Sequence, residues 1–160
     1  MRAIKASEPQ RDVIFTANTG HELGHIGLDH YLDAHATIVQ DALVWIHLGA
    51  NFAAQQDPGI RLQYSDEAAR SRLRPWLEKN SIEPDTETPT GERPLGEARN
   101  IFDGGGRSYL ILGRNGLFHH PDARWPDAVN PRETTKWINA FVALGVELAG
   151  SAEQPHSELN

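Results

Sequence analysis

The chain has 160 residues, 39% hydrophobic and 23% charged, which is one ordinary soluble domain with enough apolar material to bury a core. Fifteen Lys and Arg against 22 Asp and Glu give a formal net charge of −7, and an acidic surface argues against nucleic acid or an anionic membrane as the main partner. No apolar run nears the ~20 residues that span a bilayer, residues 1–10 lack the apolar stretch of a signal peptide, and there is no cysteine for a disulfide or thiolate ligand, so a cytoplasmic location is expected.

Residues 12–17, DVIFTA, form a short apolar run suited to a buried strand, and Asn18-Thr19-Gly20 then turns the chain. Leu28, Tyr31, Leu32 and His35 are spaced for a short helix over 28–35. Residues 42–48, ALVWIHL, are apolar on both faces except at His47, as in a strand of an α/β sheet covered on both sides. A further strand is expected over 60–64. Ser65 reads as the cap of a helix that runs to about Lys79, kinked or shortened by Pro75.

Residues 81–100 hold many polar residues and several prolines. A loop of that length inside a compact domain is functional or an insertion. After the turn Gly104-Gly105-Gly106, residues 107–112 read as a strand. Asn130-Pro131-Arg132-Glu133 supplies a cap, a proline at the first helical position and a glutamate at the third. The helix that follows places Trp137, Phe141, Leu144 and Leu148 on one face. Residues 1–150 are read as a single domain and 151–160 as a flexible polar tail. Strands alternating with helices predict a three-layer α/β/α sandwich with a mixed sheet.

Eight histidines are present, and the densest stretch is Gly20-His21-Glu22-Leu23-Gly24-His25-Ile26-Gly27-Leu28-Asp29-His30. It contains a literal H-E-x-x-H, which in zincin proteases sets two histidines on one helix face to bind zinc, with the glutamate as base. Gly27 and His30 each fall one residue early for the longer metzincin motif. Gly20, Gly24 and Gly27 oppose a continuous helix at about 1 kcal/mol each, and an expected strand ends only a few residues earlier at Ala17. His25, His30 and His35 are therefore expected at the surface.

The strand DVIFTA, the turn Gly20-His21-Glu22-Leu23-Gly24-His25-Ile26-Gly27 and the helix after it resemble the strand, G-E-E-x-G-x-x-G turn and helix of the di-zinc aminopeptidases, peptidase family M twenty-eight. Strand SYLILGRNGLF followed by His119-His120-Pro121-Asp122-Ala123 is similar to that family's H-T-P-x-D-T element, and a capped C-terminal helix follows in both. The resemblance spans most of residues 10–148 and covers the C-terminal half of the family's fold. It implies a truncated zinc-exopeptidase-like fold and a hydrolase that acts on peptide ends through zinc-activated water. It implies Glu22 and His119 as metal ligands, with His21, at the position of the catalytic base, serving as base or as a third ligand, and at most one zinc ion per chain.

The departures are specific. His21 stands where the family has a glutamate, Gly49 and Ala123 stand where it has aspartates, and no H-x-D half is present. A non-catalytic remnant or peptide-binding module of the same fold is the alternative they suggest. His120 is a one-register substitute for His119. His47 reads as a core histidine able to approach the pocket, Trp125 as core or pocket wall, and Arg124 as a partner for a substrate carboxylate. An exposed sheet edge predicts a homodimer, or association with a separately encoded N-terminal half.

Overall fold

The computed structural model describes residues 1–151. The expected tail lies, beyond Ser151, outside the described residues. The fold is mixed α/β around an open four-strand sheet. In chain order the helices are α1 (Arg2–Ala6), α2 (Ile26–Ala34), α3 (Ile38–Asp41), α4 (Glu67–Lys79), α5 (Ala98–Asp103) and α6 (Pro131–Ala149). The strands are β1 (Trp45–Leu48), β2 (Gly59–Tyr64), β3 (Thr86–Glu87) and β4 (Ser108–Arg114).

The sheet order is β1-β4-β2-β3. β4 runs parallel to β1 and antiparallel to β2, so the sheet is mixed. β1 and β3 are its two edges. The alternation of side chains along a strand divides the core. Leu62, Tyr64, Tyr109 and Ile111 join Leu73, Trp76 and Leu77 of α4 and Trp137, Leu144 and Leu148 of α6 in the main cluster. Trp45 belongs to a second, smaller cluster with Leu28 of α2, Val39 of α3 and Ile101 of α5, whereas its neighbour Ile46 packs against the main one. The buried Trp76 indole also donates from Nε1 to the Ala140 carbonyl at 2.9 Å, which ties α4 to α6.

Both long helices start as their sequences dictate. The Asn130 side chain accepts from the N–H groups of Arg132 and Glu133 at 3.1 and 3.2 Å, with Pro131 in the first turn. For α4 the cap is Asp66, which accepts from the Ala69 N–H at 2.8 Å. The expected cap, Ser65, instead donates to Asp66 and accepts from the Ser108 N–H at 2.9 Å, so it joins the helix start to β4. Pro75 lies inside α4 without ending it.

Three local expectations are corrected. Residues 12–17 form no strand. They are exposed, with Ile14 60% and Phe15 53% accessible, and among the described residues 12–18 make no backbone–backbone hydrogen bond. The run is apolar enough for a strand, but among the described residues it pairs with none. Its ends are anchored: the Gln10 N–H donates to the Ala149 carbonyl at 2.9 Å, and the Thr19 carbonyl accepts from the Gly27 N–H at 3.1 Å. Second, the long loop over 81–100 contains β3 and leads into α5. Third, Trp125 packs in no core and is 70% exposed.

Candidate metal centre

The stretch from Gly20 to Ile26 is not a continuous helix. His21–Leu23 form one 3-10 turn, flanked by Gly20 and Gly24 in left-handed conformation. His25 is also left-handed, at φ 69°, and α2 begins only at Ile26. The glycines break the helix as their propensity requires. The break brings His21 and His25 together all the same, because three left-handed residues around one tight turn reverse the chain on itself. The two ring centroids are 5.3 Å apart.

The third member comes from the long loop. Glu97 precedes α5, and its two carboxylate oxygens each lie 2.8 Å from Nδ1 of His21. His21, His25 and Glu97 each offer a ligand atom, and these atoms lie within 4.8 Å of one another. Two imidazoles and a carboxylate are a donor set that can hold a metal ion. Donors about 2 Å from a tetrahedral ion lie ~3.3 Å apart, so the group needs only a modest side-chain closure to hold one.

Contacts between α2 and α5 fix this geometry. Arg99 NH2 lies 3.2 Å from Nδ1 of His25, and the Asn100 amide donates to Asp29. With His21–Glu97 these make a row of three polar contacts. His25 is buried at 8% exposure, which corrects the expectation of a surface position. The helix break turns its ring inward, toward α5. His30 and His35 are exposed as expected.

Electrostatics follow from the same contacts. The hydrogen bond to Glu97, and then that carboxylate's charge, hold the His21 imidazole above its usual 6.5. Partial burial works against the charge on Glu97, but the bond from His21 and further local contacts outweigh it and keep its carboxyl below the usual 4.5. His47, half-buried on β1, is pushed below 6.5 mainly by burial, with the charge of Glu97 opposing.

His21, Glu22, His47 and Glu97 line one large open cavity, with a volume of about 1810 Å³. Its lining takes in β1 and residues 12–18 and extends to Arg61, Asp85 and Arg114 across the sheet. Glu22 is exposed beside His21. His119 lines the same cavity, stacked on Phe118 at a centroid distance of 4.0 Å, but neither it nor Glu22 belongs to the three-residue group. His120 accepts from the Asp122 N–H at 3.2 Å, and Arg124 pairs with Asp122 at 3.5 Å. His120, Arg124 and Trp125 are exposed and lie outside this cavity. Glu97 is the residue that sequence reasoning missed. It stands 76 positions from His21, and the only signal was the length of the loop that carries it.

Among the described residues no helix is long and apolar enough to cross a membrane. No protein-family model, no curated protein and no solved structure matches the chain.

Proposed function

We propose that the protein is a zinc-dependent hydrolase of peptide ends, with His21, His25 and Glu97 as the metal ligands and one ion per chain. The observation that carries this reading is the convergence of two imidazoles and a carboxylate, two of which, His21 and Glu97, line a cavity large enough for a peptide. A zinc ion held by three protein groups keeps a position open for water and acidifies it. Glu22 is next in sequence to a ligand and lines the same cavity, so it is the carboxylate suited to take the proton. His47 is the neutral imidazole on the cavity wall. On this reading the fold is a truncated, three-layer relative of the zinc exopeptidases, supported by the order of β4, His119-His120-Pro121 and the capped α6, while the strand that family has before the Gly20–Gly27 turn is absent among the described residues.

The test is zinc titration by calorimetry combined with hydrolysis of aminoacyl nitroanilides. Glu97→Gln should abolish zinc binding, Glu22→Gln should keep binding and lose turnover, and His119→Ala should bind as the parent does. Binding that depends on His119 and Glu22 but not on His25 would instead support the ligand set implied by the aminopeptidase resemblance. No turnover above buffer by a folded, zinc-loaded chain would sink the hydrolase reading.

One observation favours a second reading. The group is also satisfied without an ion, because His21 bonds to Glu97 and His25 to Arg99. The same residues then act as a polar latch in a non-catalytic peptide-binding module. Zinc binding absent from the parent chain, with Glu97→Gln lowering the melting temperature, is the result that selects it.

The partner expected from the sequence fits the outer edge of β1, which among the described residues pairs only with β4. A second chain, as a homodimer or as a separate N-terminal half, would pair there. A clean monomer in light scattering at micromolar concentration speaks against the homodimer.

A further inference from the structure

Resting on the metal reading above, we propose that Arg99 is a built-in competitor for the metal ion, and that an ion enters only when this guanidinium withdraws from His25. The chemistry of the two side chains compels the exchange. A guanidinium has donors and no acceptor. The 3.2 Å contact between Arg99 NH2 and His25 Nδ1 therefore uses the Nδ1 lone pair and leaves Nε2 to carry the ring proton.

Neither nitrogen of His25 is then free to bind a cation. Coordination through Nδ1 needs the lone pair that Arg99 holds. Coordination through Nε2 needs the proton moved to Nδ1, where it would point at a donor with nothing to accept it. Metal-bound histidines show the opposite arrangement, with the second ring N–H given to a carboxylate or carbonyl. His21 has that arrangement toward Glu97; His25 does not.

The local sequence makes Arg99 hard to avoid. Glu97 and Arg99 are two positions apart at the start of α5, so the element that delivers the carboxylate also delivers the cation. The guanidinium on His25 thus stands where a divalent ion would bring its charge, and the ion has to replace it.

The test compares zinc affinity, by competition with a chromophoric chelator, in the parent chain, Arg99→Met and Arg99→Lys. Arg99→Met keeps much of the apolar stem and removes the charge. It should bind zinc about tenfold tighter or more, from the loss of one positive charge next to a divalent ion, while Arg99→Lys stays near the parent. Equal affinity in the parent and Arg99→Met, or weaker binding in Arg99→Met, overturns the competitor role and leaves the metal site standing. Zinc binding by none of the three overturns the metal reading and this inference with it. In the parent chain, nitrogen-15 shifts of the His25 ring give a readout that needs no variant. Nδ1 should be unprotonated before zinc, and the ring should change its state on zinc addition; a ring unchanged at saturating zinc overturns the proposal.

Discussion

His21 and His25 face each other at 5.3 Å with their rings tilted by 41°, although no helix carries both. A helix would have placed them as neighbours at i and i+4. Here a single 3-10 turn and the left-handed Gly24 and His25 do so. His25 is a non-glycine residue in a conformation disfavoured for L side chains, a cost more readily borne where a side chain has a task. Asparagine tolerates that conformation better than alanine does. His25→Asn should therefore lose zinc binding with a smaller drop in melting temperature than His25→Ala, as calorimetry and thermal melts would show.

The His21–Glu97 pair sets a pH window. Glu97 is held below 4.5 and His21 above 6.5 in the folded chain. A depressed carboxylate stabilises above its unfolded value and loses that contribution as pH falls through the folded one. A raised imidazole stabilises below its unfolded value and loses that contribution as pH rises through the folded one. The metal-free pair therefore contributes fully between 4.5 and 6.5 and fades on both sides. Zinc must displace the proton of His21, so affinity should climb with pH past 6.5 until that raised pKa is passed. Glu97→Gln should flatten the stability profile in urea melts across this range.

Tyr109 has its hydroxyl buried with no hydrogen-bond partner among the described residues, and burial pushes its pKa up to about 12. An unpaired buried donor is costly to keep. Tyr109→Phe should stabilise the fold by about 1 kcal/mol, measured as a higher urea midpoint with an unchanged slope.

Gly27 lies against the end of the unpaired segment. A Cβ there would come 2.5 Å from the Thr19 carbonyl oxygen and 2.8 Å from the Thr19 nitrogen, both backbone atoms that cannot step aside alone. Gly27→Ala should break the Gly27–Thr19 hydrogen bond and shift the His21 turn. The expected result is weaker zinc binding together with a destabilisation of about 1–3 kcal/mol. Gly24→Ala meets no atom within 4 Å and is burdened only by its positive φ, so it should cost less.

Asp66 caps α4 through the Ala69 N–H. Asp66→Ala should cost about 1 kcal/mol, and Asp66→Asn, which keeps an acceptor, should recover most of it in thermal melts.

The elements with strong local chemistry were legible in the sequence. Asn130, Pro131 and Glu133 announce the start of α6, and the apolar faces of β1, β2 and β4 announce strands. The cap of α4 was misplaced by one residue because Ser65 and Asp66 are both good caps, and the backbone chose between them only once β4 engaged the serine. The run over 12–17 misled for a related reason: a strand needs a neighbour, and sequence composition does not supply one. At the candidate centre, the glycines correctly forbade a helix through H-E-x-x-H, but left-handed residues can bring the two histidines together without one. Glu97 had no local signature at all, because the pairing of α5 with α2 places it.

The free segment at residues 12–18 has one more consequence. Proteases bind their substrates as extended chain with unpaired amides, and this stretch is exposed and has no backbone partner among the described residues. Limited digestion should cut within it. The fragment so released would not depart, since α1 packs on α6 and the Gln10 N–H holds the Ala149 carbonyl. A nicked chain of two pieces should migrate as one particle and separate only in denaturant.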